Sequence, residues 1–144
     1  MAIEISQSLG SIAFDYSGFD KAEASVTKVP GAILTKIGNL VRTYETQSIT
    51  DATTGADVKY NTKLSVDDIV VEMAVGKTSD VADIETAFTN KSNCTCLIKN
   101  KYMTIKLNCV ISKIDEMGVD PSGTHMFNIT LSISGTPTIT RKFT

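Results

Sequence analysis

The side chains in this chain best suited to chemistry at neutral pH are three cysteines, one histidine and several clustered carboxylates. Cys94 and Cys96 are spaced C-x-C, which on a β-strand puts both thiols on one face. With Cys109 on a neighbouring strand, the three sulfurs could converge on a metal. A tetrahedral zinc site would still lack a fourth ligand unless His125 came close. Three small apolar residues in a reduced core is the better reading, and no metal site is expected. His125 is the only histidine, so sites needing two or more imidazoles are excluded and a catalytic triad is disfavoured. It follows Pro121-Ser122-Gly123-Thr124, which places it at the mouth of a strand, as a surface or interface residue.

The carboxylates group as Asp67-Asp68, as Asp80, Asp83 and Glu85, and as Asp115-Glu116 with Asp120. None has the alternating spacing of a calcium loop, and turn and cap duty accounts for all of them. Gly76-Lys77-Thr78 lacks the upstream glycine of a phosphate-binding loop. There is no tryptophan and aromatic residues are only 6%, so a stacking platform for sugars or single strands is not expected. The sequence therefore offers no catalytic residue, no cofactor-binding residue and no metal ligand, and an enzyme is not expected.

The elements that would position these residues are mostly strands. The chain has 144 residues, the length of one domain, and it reads as a single β domain over residues 1–144. Hydrophobic residues make up 42% and charged residues 21%, the composition of a folded globular chain. The net charge of -2 gives no global attraction to nucleic acid or an anionic membrane. No stretch is apolar for long enough to span a bilayer. Met1 to Ser6 has neither a basic nor an apolar leader region, so we expect a chain folded in a cytoplasm and not secreted. The odd number of cysteines agrees with reduced thiols.

Threonine (19) and serine (13) are abundant. Thr suits a pleated surface, and strands with hydroxyls on one face and aliphatic residues on the other imply sheets with a polar side, facing water or a polar neighbour. Period-two alternation is clearest over Tyr102–Ile111, with Met103, Ile105, Leu107, Cys109 and Ile111 on one face. It recurs over Met126–Ser134, where Phe127, Ile129, Leu131 and Ile133 alternate with Asn128, Thr130, Ser132 and Ser134. Asn93–Lys99 reads as a shorter strand joined to the first by a tight turn at Asn100-Lys101, where Asn tolerates positive φ. Asp68–Val75 is a further strand, with Val70 and Ala74 apolar on its second face.

Leu40–Ile49 and Val58–Leu64 form the arms of a long hairpin around the polar loop Thr50–Asp57, expected to be mobile in the isolated chain. In the first third, Ile3–Ser8, Ile12–Tyr16 and Ala22–Val29 are strand candidates, the last broken by Pro30-Gly31. One short helix is expected over about Val81–Thr89, with Thr78, Ser79 and Asp80 as N-cap candidates and an apolar stripe of Val81, Ile84 and Phe88.

This arrangement resembles the phage tail tube protein family, which includes the tube subunits of contractile injection particles. The resemblance rests on the hairpin Val41–Leu64 with its polar tip, on Asp68–Val75 followed by the helix and the strand from Asn93, and on the closing pair Tyr102–Ile114 and Met126–Ser134. It implies a mainly β fold, a β-sandwich or barrel with one short helix and a long hairpin loop. It implies a structural virion protein assembled in the host cytoplasm: hexameric rings that stack into a hollow tail tube through which DNA passes without specific binding. Its partners would be other copies of itself and other tail proteins, with no membrane and no small-molecule substrate. Inter-subunit contacts would fall on Thr50, Asp51, Thr53, Thr54, Gly55 and Asp57, with the N-terminal segment also contributing to stacking. Another small virion component (a tail terminator, neck or capsid-decorating protein) and a small-ligand-binding β-barrel are the alternatives.

Overall fold

The computed structural model describes residues 10–116 and 125–141. Alternation sets its two longest strands side by side. Met103–Glu116 (β7) and His125–Arg141 (β8) pair antiparallel, with Ile111 opposite Leu131 and Cys109 opposite Ile133. Outward from them lie Asn93–Lys99 (β6) and then Ser11–Asp15 (β1) on one side, and Ile69–Val75 (β5) and then Ile33–Ile37 (β2) on the other. These six strands make one antiparallel sheet, ordered β1-β6-β7-β8-β5-β2. Arg42–Thr50 (β3) and Asp57–Val66 (β4) pair only with each other.

The large sheet curls into a half-barrel, the mainly β architecture that the sequence implied. Register shifts between Ile111 and Lys113, between Lys106 and Asn108, and between Leu34 and Lys36 bend its strands. Its concave face closes over Phe14, Ile69, Val71, Met73, Leu107, Phe127, Ile129 and Leu131, all at most 2% exposed. A helix, α1 (Ala82–Thr89), packs on β7 and adds Val81, Ile84 and Ala87 to this core. Removing so much aliphatic and aromatic surface from water is the dominant favourable term in folding.

The second face of β6 and β7 is covered by the chain's own N-terminal loop. The Thr95 hydroxyl donates to the Gly18 carbonyl at 2.8 Å and accepts from the Lys21 amide at 3.2 Å. Asn108 accepts from the Asp20 amide and donates to the Asp20 carboxylate, both at 2.9 Å. Thr95 is thereby fully buried yet satisfied. The polar face expected to meet water or a polar neighbour meets, at these strands, a polar neighbour from the same chain. Further along, Ser132 donates to the Ser112 hydroxyl at 2.9 Å and Ser112 to the Thr130 carbonyl at 3.3 Å, an open ladder of hydroxyls across β7 and β8.

Several expectations are corrected. Ala22–Val29 is not a strand; it holds a 3-10 turn, Glu23–Ser25, and one bridge from Lys28 to Phe14. Strand β2 was not anticipated, because a five-residue edge strand with a bulge shows no sustained alternation. β8 continues past Ser134 to Arg141: Gly135 takes φ +74, and Pro137, which has no N–H, is accommodated at this break in the ladder. Helix α1 begins after Val81 without a side-chain cap. Asp80 instead accepts from the Gly76 and Lys77 amides at 3.1 and 3.2 Å. Phe88 is exposed, and Ala87 takes its place on the buried stripe. Asn100 turns the β6–β7 hairpin through its side chain, which accepts from the Tyr102 and Met103 amides at 2.8 and 2.9 Å, and not through positive φ. Ile3–Ser8 and Asp120 lie outside the described residues.

The burial pattern makes a paired prediction. Ile105→Asp places a carboxylate at a position only 7% exposed, on the core face of β7, and is expected to prevent soluble folding. Ile49→Asp, in the exposed strand β3, is expected to leave circular dichroism and Tm unchanged. A soluble, native-like Ile105→Asp chain would show that the faces of β7 are reversed.

Candidate assembly surface

The β3–β4 hairpin is the part of the structure that does not bury itself. Every residue of β3 is exposed, and in β4 only Leu64 and Val66, at the base, are partly covered. Its register runs from Arg42–Val66 to Thr50–Asp57, with one shift between Tyr44 and Thr46. Nine residues of β3 give an arm roughly 30 Å long. The stem is apolar in patches: Ile49 faces Val58 across the strands, and Tyr60 faces Gln47, to whose side-chain carbonyl its hydroxyl donates at 3.2 Å. Tyr44, Ile49, Val58 and Tyr60 are between 42% and 56% exposed. A two-stranded ribbon alone in water is marginally stable at best, so exposed aromatic and β-branched side chains here form a surface suited to a partner.

The tip brings together all six residues expected to make contacts. Asp51 organises it: its amide donates to the Ala56 carbonyl at 2.8 Å and its carbonyl accepts from Gly55 at 2.7 Å. Its carboxylate accepts from the Thr53 amide at 2.8 Å. Thr50 donates to the Asp57 carboxylate at 2.9 Å, and the Ala56 amide donates to the Thr54 hydroxyl at 3.3 Å. Gly55 sits at φ +73 with open space around it, a conformation in which a Cβ would be strained. Sequence reasoning singled out the tip and not the exposed stem residues Tyr44, Ile49, Val58 and Tyr60. The i, i+2 spacing of Val58 and Tyr60, which share one face of a strand, was the available signal.

The residues that could have carried chemistry are dispersed or sealed. Cys94, Cys96 and Cys109 are all free and fully buried, with Cys94 directly opposite Cys109. Burial pushes the Cys94 thiol up to about 12 and raises Cys96 as well. His125 opens β8, eight residues along that strand from Ile133, the partner of Cys109. At ~3.4 Å per residue this separates it from the thiols by roughly 25 Å, too far for a shared metal. Its Nε2 lies 3.1 Å from Glu116 Oε2, a pair in which both side chains are more than a third exposed. Among the described residues no group of three potential ligands could hold a metal ion.

No protein-family model matches the chain, and no curated protein matches it. Solved structures do match in fold. A chain from the virion of a native gene transfer agent particle is 12% identical with a TM-score of 0.65, covering 92% of this chain and 95% of that one. A chain from the anti-feeding prophage baseplate, 6-fold symmetrised, is 13% identical with a TM-score of 0.60, at 91% and 90% coverage. A chain from the sheath–tube complex of an extracellular contractile injection system in its extended state is 14% identical with a TM-score of 0.61, at 94% and 90% coverage. At such identities the shared property is the fold, and it extends over nearly the whole of each chain.

Two predictions follow from the site's chemistry. The three thiols are expected to resist alkylation by iodoacetamide in the native chain and to react fully after denaturation, read by mass spectrometry. Rapid native labelling would contradict their burial. The Thr53 amide bonded to Asp51 holds its carboxyl below the ordinary 3.8. A depressed folded value means the tip's stabilisation is present above pH 3.8 and is lost as pH falls through the lower folded value. Asp51→Ala should remove that dependence and speed amide exchange at Thr53 and Gly55 at neutral pH.

Proposed function

We propose that this chain is a structural subunit of a phage-tail-like particle, a tail tube protomer that forms hexameric rings stacked around a DNA-conducting lumen. The observation that carries this reading is the free-standing β3–β4 arm. It exposes both faces, carries apolar residues along its stem, and has no core of its own. Such a ribbon acquires stability by lying on a neighbour. The likeness in fold to chains from a gene transfer agent virion, a baseplate and a sheath–tube complex supports the same class of role.

The contact from arm to neighbouring body is heterologous, so repeated copies extend a filament unless a ring closes them. In this reading the arm tip, Thr50 to Asp57, reaches the next ring, and the other tail proteins bound the tube at its ends. The neutral hydroxyls of Ser112 and Ser132, linked to each other and to the Thr130 carbonyl, are suited to face DNA without gripping its phosphates. A terminator, which makes one ring and stops, is the alternative favoured by a second fold match: a chain from a sheath/tube terminator, 17% identical with a TM-score of 0.60.

Negative-stain electron microscopy across a concentration series separates these readings. Hollow tubes or stacks of six-fold rings are expected; single rings at every concentration would support the terminator. Deleting Thr50–Asp57 and closing the hairpin with a two-residue turn should preserve the circular dichroism of the body and abolish polymerisation. Tubes of normal length from that variant would remove the arm tip from the assembly contact.

A further inference from the structure

One end of the half-barrel is open at the root of the arm. Between the β6–β7 turn and the segment that runs from β2 into β3 lies a groove of ≈ 760 Å³. Ile69, Ile98 and Ile105 of the core reach its floor, and Leu34, Ile37, Met103 and Ile139 extend that floor as half-buried apolar surface. Lys36, Arg42, Lys99 and Arg141 also line the groove, and all four are exposed. Among the described residues no carboxylate lines it, and none stands within salt-bridge distance of these cations. Four like charges beside apolar surface are the complement of a partner that brings carboxylates together with apolar side chains.

The arm ends in a segment of that description. From Thr50 to Asp57 the chain carries two carboxylates, Asp51 and Asp57, and no Lys or Arg. Directly behind them Ile49 and Val58 stand opposite each other, 56% and 53% exposed. The turn is already closed by the Asp51 and Gly55 hydrogen bonds, so a tip of fixed shape would bind with little further ordering. It cannot serve its own groove. The arm rises from Arg42, at the groove's edge, and as an extended strand pair carries its tip roughly 30 Å away. The matching groove is therefore that of a second copy.

We propose that the arm tip of one copy seats in this groove of the next, with Asp51 and Asp57 among the four cations and Ile49 and Val58 towards the apolar floor. This names the acceptor for the arm, and it rests on the reading of the arm as an assembly element. Donor and acceptor are different surfaces of the chain, so the contact does not saturate. The groove lies at the root of the acceptor's own arm, so each seated tip presents a further tip about one arm length on.

Two complementary variants test the contact. Lys36→Glu/Lys99→Glu keeps the tip and reverses charge in the groove; the Thr50–Asp57 deletion keeps the groove and lacks the tip. Both lysines are exposed, and circular dichroism checks that each variant keeps the fold. In sedimentation velocity neither variant alone is expected to polymerise. Their equimolar mixture is expected to form a species of twice the mass of either alone that does not grow with concentration, because only one tip and one groove in each pair can engage. Lys36→Gln/Lys99→Gln should need at least tenfold more protein than wild type to reach the same polymer mass. If the Glu variant polymerises like wild type while the deletion does not, the arm seats elsewhere and this proposal alone is overturned. If the deletion also polymerises like wild type, the arm reading falls with it, as it does if wild type never associates. A mixture no heavier than its components overturns the groove as acceptor. Should the Glu variant misfold, the Gln variant decides, and wild-type assembly by it overturns the proposal.

Discussion

The pairing of β7 with β8 is the interaction on which the rest of the structure depends. It is the longest ladder in the sheet, and it holds two of the three register shifts that curl it. On the concave side it gathers Leu107, Ile111, Phe127, Ile129 and Leu131, the apolar surface against which β5, β6 and α1 pack. On the other side it offers Asn108, which with Thr95 of β6 ties down the N-terminal loop. A sheet curled this way leaves β1 and β2 as edges that do not meet, and so leaves one end of the half-barrel open. The edges themselves are short, and β2 carries a bulge and Lys36, devices that discourage indiscriminate pairing.

What was legible in the sequence is what the sheet's pleat imposes directly. Half-buried strands such as β7 and β8 must alternate, and the alternation of Ile105, Leu107, Cys109 and Ile111 is visible without any knowledge of partners. The hairpin was legible for the opposite reason: a polar loop rich in Thr, Asp and Gly, between two Thr-rich runs, has few other uses. What escaped depended on tertiary contacts. β2 is a strand because β5 offers it a ladder, not because Ile33 to Ile37 alternate. Residues 22–29 look extended, yet only Lys28 bridges to Phe14, while the preceding Gly18 to Lys21 is held on β6 and β7 by Thr95 and Asn108. Phe88 fitted the helical stripe by spacing, but the smaller Ala87 is the residue facing β7. The expected strand stopped at Ser134, whereas a break in the ladder at Gly135 and Pro137 lets β8 run on to Arg141.

The candidate site was legible in part, for a related reason. Polar tip residues announce an exposed loop, so Thr50 to Asp57 could be singled out as surface. Apolar residues on a strand give no sign of their exposure in the sequence alone, so Ile49, Val58 and Tyr60 were not. The cysteines illustrate the converse: chemically capable side chains that are fully buried as packing atoms, with the thiols of Cys94 and Cys96 raised out of the reactive range by that burial.

A ribbon with no core of its own also divides the chain into two regimes of sequence change. In the body, a substitution at Ile129 or Phe14 is judged at once by the close-packed neighbours of its own chain. In the arm, the chain itself enforces little beyond strand propensity and the turn at Asp51 and Gly55. Stem residues such as Ile49 and Val58, exposed in the chain alone, are constrained by its own packing far less than core residues are. The curled body, defined by alternation and not by particular residues, keeps its shape long after its identity with any relative has faded.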